Sequence, residues 1–116
     1  MADPLDDFQK FRADLNEEIL GCGHLGIKRF FALDHQAYEP GPLPVKTKEL
    51  LGLTASMVLR CDDCITYHLV RCGAVGWTRD EIIDALNVAL IVGGSITIPH
   101  VRRAFARMRD IEGLKP

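Results

Sequence analysis

A chain of 116 residues has the length of one ordinary domain with a modest core, which association between copies would help to bury. Its 47% hydrophobic and 26% charged residues exclude a disordered chain and leave little room for long polar linkers. A formal net charge of −2 lacks the concentrated basic surface that nucleic acid requires.

Met1 is followed by Ala2, Asp3, Pro4 and a polar helical pattern, so the charged start and apolar run of a signal peptide are missing. No apolar segment reaches the roughly 18 residues that span a bilayer. The expectation is a single domain over residues 1–116, cytoplasmic, with neither a membrane nor a nucleic-acid partner. In that compartment structural disulfides are rare, so a close cysteine pair points to catalysis or to a metal.

From Leu5 to Leu20 the apolar residues Leu5, Phe8, Phe11, Leu15 and Ile19 recur at three- and four-residue steps. Asp6, Asp7, Lys10, Asp14 and Glu18 fill the other face, which predicts an amphipathic helix ending near Gly21 and Gly23. A second helical piece carries Ile27, Phe30, Phe31 and Leu33 as far as "EPGPLP" at 39–44, the one linker-like stretch. Pro44 then opens a helix through "VKTKELLGLTASMVLR", polar at its start and largely apolar after Leu50.

The next segment runs from Cys61 to about Val75, with Gly76 as terminator. "TRDE" at 78–81 reads as a capping box, with Thr78 as cap, Glu81 reaching back, and Trp77 and Ile82 placed for a hydrophobic staple. The helix it starts passes through Ile82, Ile83, Leu86, Val88, Ala89, Leu90 and Ile91 to the glycines at 93 and 94. Apolar on nearly every side, it predicts packing against a second subunit as well as its own core. A last helix from about Pro99 to Ile111 puts Val101, Phe105 and Met108 inside, and Arg102, Arg103, Arg107 and Arg109 mostly on a solvated face. Strand alternation with hairpin turns is absent, so the fold class is all-α.

The chemistry concentrates in "CDDCITYHLVRC" at 61–72. On a helix, Cys61, Cys64, His68 and Cys72 fall at about 0, −60, −20 and +20 degrees, all on one stripe. A zinc site built from this segment alone would have to draw together Cys61 and Cys72, roughly 16 Å apart along that helix, and so would require the helix to be absent. A disulfide needs α-carbons only about 4.4 to 6.8 Å apart, which residues three apart at a helix start satisfy, so Cys61 and Cys64 can join. The first-turn N–H groups and the helix dipole favour a thiolate there, and His68 lies one turn beyond Cys64, within reach of its proton. Asp62 and Asp63 act in the opposite sense, since carboxylates beside a sulfur oppose its ionisation. The same cysteines also fit as small buried apolar residues, and for Cys72, farther along the helix, that is the preferred role. Cys22 between two glycines is uninformative. His24, His35 and His100 show no partner in the sequence and read as structural or exposed, and Tyr67 as packing.

The run from Glu49 in "KTKELLGL", through "CDDCITYH", to "GWTRDEIIDALNVALIVGG" resembles the carboxymuconolactone decarboxylase superfamily and its alkylhydroperoxidase D-like branch. Glu49, eleven intervening residues and then C-x-x-C-x-x-x-H meet that pattern without a gap, and the resemblance covers about residues 43 to 95. It implies an alkylhydroperoxidase D-like bundle of about six helices, assembled as a trimer or hexamer. It further implies that Cys61 and Cys64 cycle between dithiol and disulfide, with Glu49 orienting His68 and His68 deprotonating a cysteine, Cys64 being the nearer one. Without the resemblance, Glu49 would read as a surface residue of a first helical turn.

The expected activity is that of a thiol-dependent peroxidase or disulfide oxidoreductase, antioxidant in role. It would act on a small hydroperoxide or disulfide, with an external dithiol as reductant and no metal or organic cofactor. The alternatives are a decarboxylase-type lyase using His68 and a non-catalytic redox-sensing assembly module. Two features depart from the family's well-studied members. Asp63 stands where peroxidase members often carry a second histidine, and the chain is shorter than the two-repeat members that serve a peroxiredoxin.

Overall fold

The computed structural model describes residues 4–116, and these form six α-helices, one short 3-10 helix and no strand. They fall into two compact units that divide between Glu39 and Pro40, inside the "EPGPLP" stretch. None of the described helices is long and apolar enough to cross a membrane.

The first unit holds α1 (Pro4–Gly21) and α2 (Leu25–Ala37). Pro4 occupies the first turn of α1, where its missing N–H is no loss, and Asp6 and Asp7 complement the positive end of the dipole. Between the helices the Cys22 N–H donates to the Ile19 carbonyl at 3.2 Å, and Gly23 takes φ of 83°, a conformation that suits glycine. His24 then caps α2, its Nδ1 accepting the Ile27 N–H at 3.2 Å, which gives this histidine a local structural role. The apolar stripes expected of these helices are real, yet Phe11, Phe30 and Leu33 are each exposed in the single chain.

The second unit holds α3 (Val45–Leu59), α4 (Asp62–Ala74), α5 (Arg79–Gly93), the 3-10 turn Ser95–Thr97 and α6 (Ile98–Met108). Here α3 packs on α4 and α5, and α4 also packs on α6. The core is Leu53 and Met57 of α3, Ile65 and Leu69 of α4, Ile82 and Leu86 of α5, and Met108 of α6, all essentially inaccessible. Each such side chain contributes about 1.5–3 kcal/mol on burial.

The capping box forms as the sequence predicts. Thr78 Oγ1 accepts the Glu81 N–H at 3.2 Å, while Glu81 Oε1 accepts the Thr78 N–H at 2.9 Å. That backbone donor holds the Glu81 carboxyl below its ordinary value. Trp77 serves a longer connection: its indole N–H donates to the Lys46 carbonyl at 2.8 Å, and the Lys46 ammonium lies 4.3 Å from the ring centroid.

The helix after the paired glycines begins at Ile98 and ends at Met108, preceded by the 3-10 turn that the sequence did not signal. Thr97, fully buried, donates from Oγ1 to the Gly94 carbonyl at 2.8 Å. A Cβ on Gly93 would come within 2.5 Å of Thr97 Cγ2, so glycine is what lets the chain fold back here. Beyond α6, Ile111 and Leu114 return to the core.

Candidate active site

The dithiol owes its position to an unusual turn. Arg60 ends α3 in the left-handed conformation (φ 60°, ψ 41°), the one non-glycine with positive φ among the described residues. Its N–H donates to the Met57 carbonyl at 3.0 Å, and the Cys61 N–H reaches back to the Ser56 carbonyl at 3.1 Å. This is a Schellman-type stop with arginine where glycine is usual. Cys61 leaves it extended (φ −100°, ψ 99°), so α4 begins at Asp62 and Cys61 is its cap instead of its first residue.

Cys61 Sγ accepts the Cys64 N–H at 3.3 Å, and the two cysteines are joined as a disulfide with α-carbons 5.3 Å apart. Cys61 is half-buried and Cys64 exposed. The sulfurs are supported differently, Cys61 by a first-turn N–H and the helix dipole, Cys64 by lying one turn from His68.

Below the dithiol, α3 and α4 bring together Glu49 and His68, 19 residues apart in sequence. Glu49 is only 2% exposed, so it is no surface residue, and His68 is also buried. His68 Nδ1 lies 3.0 Å from Glu49 Oε2, and Arg71 Nε donates to Glu49 Oε1 at 3.3 Å. The carboxylate thus has a partner on each oxygen, which is what allows a charge to sit inside a small core. A carboxylate on Nδ1 also orients the ring and directs Nε2 elsewhere. The Tyr67 ring meets His68 edge-on at a centroid distance of 5.1 Å.

Cys72 shares the stripe but lies fully inside the core. Burial pushes its thiol up to about 12, the Glu49 charge adding to the shift and Arg71 opposing it. Among the described residues, no three His, Cys, Asp or Glu side chains converge to hold a metal ion.

A second constellation stands at the α4 N-terminus. Asp62 Oδ1 lies 2.7 Å from His100 Nδ1, and Arg103 Nη1 donates to Asp62 Oδ2 at 3.1 Å, both partners coming from α6. His100 therefore has a partner, and Arg103, though 61% exposed, is tied to α4 and not merely solvated. Arg71, His100 and Arg103 are the residues that sequence reasoning missed. Arg71 follows His68 by three and so shares its face, which was a usable signal. The pairing of Asp62 with residues 38 and 41 positions away was not visible locally.

Residues 27–107 match the carboxymuconolactone decarboxylase family. The chain belongs to that family. Two crystal structures of TM1620 from Thermotoga maritima, a member for which involvement in an antioxidative response has been suggested, are similar to it at 57% and 58% identity with TM-scores of 0.85 and 0.87. Both alignments cover 90% of this chain, and 88% and 91% of theirs. Apo-lpg0406, a carboxymuconolactone decarboxylase family protein from Legionella pneumophila, shares the fold with a TM-score of 0.84 at 22% identity, over 94% of this chain and 97% of that one. In sequence, uncharacterized protein 4 in the cox locus of Paracoccus denitrificans is 29% identical over 84 residues, 72% of this chain and 76% of that protein.

Proposed function

We propose that this family member is a thiol-dependent oxidoreductase, a peroxidase or disulfide reductase, in which Cys61 and Cys64 carry the redox chemistry and Glu49 and His68 move the proton. The observation that carries the reading is the Cys61–Cys64 disulfide at the N-terminus of the same helix whose buried His68 is held by the buried Glu49.

In the reduced state His68 accepts a thiol proton while Glu49 stabilises the imidazolium that forms. The thiolate attacks the terminal oxygen of a hydroperoxide, the O–O bond breaks, and the alkoxide takes a proton to leave as an alcohol. The second thiol then displaces hydroxide from the sulfenic acid, closing the disulfide and releasing water. Two electrons have passed from the dithiol to the peroxide, and an external dithiol returns them by thiol–disulfide exchange. With a partner disulfide as oxidant, the same thiolate attacks sulfur and passes through a mixed disulfide. Neither route calls on a metal or an organic cofactor. A cytoplasmic location, with its pool of dithiol reductants, fits this cycle, and the exposed apolar residues of α5 fit a homo-oligomer, a trimer or hexamer.

The test is hydroperoxide and disulfide turnover with dithiothreitol as reductant, for the wild type, Cys61→Ser and Cys64→Ser. Each serine variant is expected to lose at least about 100-fold in kcat/KM. Full turnover by either would overturn the reading, and activity that survives loss of both thiols but not loss of His68 would favour lyase chemistry.

A further inference from the structure

Asp62 and Asp63 open α4 directly beside the disulfide, and an uncompensated carboxylate there would oppose thiolate formation as the dipole favours it. The two aspartates are treated differently. Asp63 is exposed, with no side-chain hydrogen bond or ion pair among the described residues, whereas Asp62 has each carboxylate oxygen engaged by a different side chain of α6, one of them the Arg103 guanidinium. His100 and Arg103 are three apart and so present one face of α6 to that single carboxylate. Asp62 is next in sequence to Cys61, its α-carbon about 3.8 Å from that of the cysteine, so whatever happens to its charge is felt at the sulfur.

We propose that His100 and Arg103 are positioning residues for the dithiol: they hold the Asp62 carboxylate toward α6 and offset its charge, so that the thiolate forms beside an acidic pair of residues. This rests on the dithiol reading above and adds to it a control of thiol ionisation by a helix that supplies neither sulfur nor base. The other charges near the dithiol leave this role open. From α3, Glu49 is committed to His68 and Arg71 at the buried end, and Arg60 is exposed at the turn. From α4 itself, only Asp63 adds a further charge to the first turn.

The experiment is an ultraviolet titration of thiolate absorbance in the reduced full-length protein, in a Cys22→Ser background so that the dithiol dominates the signal. Asp62→Asn removes the carboxylate charge beside the sulfur, leaves the Arg103 guanidinium uncompensated, and is expected to lower the leading thiol pKa by about half a unit to one unit. Arg103→Ala leaves the carboxylate uncompensated and is expected to raise it by a similar amount, His100→Ala removes the hydrogen bond that holds the carboxylate toward α6 and is expected to raise it less, and Arg103→Lys keeps the wild-type value. The triple variant Asp62→Asn, His100→Ala, Arg103→Ala removes the Asp62 and Arg103 charges together, one of each sign, and is expected to return close to wild type.

A cluster that merely ties α4 to α6 predicts the reverse order, with the triple variant the most perturbed, and that result overturns the proposal. So does a thiol pKa that is indifferent to Asp62→Asn, a near-isosteric change whose folding is checked by circular dichroism in the same samples. Ionisation is read independently of turnover, so the two readings fail separately. Opposed shifts together with full activity of Cys61→Ser would sink the redox function and leave this assignment standing. Unmoved titrations with cysteine-dependent turnover would sink this assignment alone.

Discussion

Glu49 is a charged side chain in the core of a small helical unit, and its two partners decide what it can do. A buried carboxylate that loses a partner costs about 3–5 kcal/mol, so the cluster persists only because both His68 and Arg71 reach it. Glu49→Gln keeps the shape and removes the charge that stabilises an imidazolium. It is expected to lower kcat by about 100-fold in a stopped-flow hydroperoxide assay while leaving the fold intact. The same change is expected to bring the Cys72 thiol down from about 12, because the Glu49 charge is the second cause of that shift, and alkylation rate against pH would show it. In the sequence, Glu49 looked like an exposed residue of a first helical turn, and only its spacing from the cysteines and His68 marked it. Its burial depends on α4 lying against α3, a tertiary fact with no local signature. Asp62 was legible as a threat to the thiolate, but its two α6 partners were not.

At the level of helices, what the sequence revealed divides by the range of the interactions involved. The α5 start was readable because a capping box is closed by residues three apart, and Thr78 and Glu81 form it as their identities require. The α3–α4 turn was not, because a left-handed stop is ordinarily announced by glycine and here the residue is Arg60. Periodicity consequently drew Cys61 into the helix, whereas the turn makes it the cap, with its sulfur on a backbone N–H. An L side chain in that conformation costs about 1 kcal/mol, part of which glycine returns as unfolded-state entropy. Arg60→Gly is expected to raise stability by about 0.5 kcal/mol, measured by urea unfolding, with turnover unchanged because the turn geometry suits glycine at least as well.

Across the whole molecule, the sequence reads α5 as apolar on nearly every side, and the single chain covers only part of that surface. Ile82, Leu86 and Ala89 face the core, while Ile91 and Val92 remain 78% and 69% exposed, with Leu59 and Ile96 also uncovered. Residues this apolar and this open favour self-association. Ile91→Glu is therefore expected to reduce the mass measured by size-exclusion chromatography with light scattering toward that of one chain, while a wild type that is already monomeric removes the assembly reading. The core has a further effect, on Cys72. That sulfur lies about two turns along α4 from Cys64, and burial pushes its ionisation up to about 12, which disfavours its thiolate at neutral pH. The apolar interior works as insulation around a third conductor, so in the proposed cycle the electron pair enters and leaves through one bond, and the oxidised helix is not scrambled among its own cysteines.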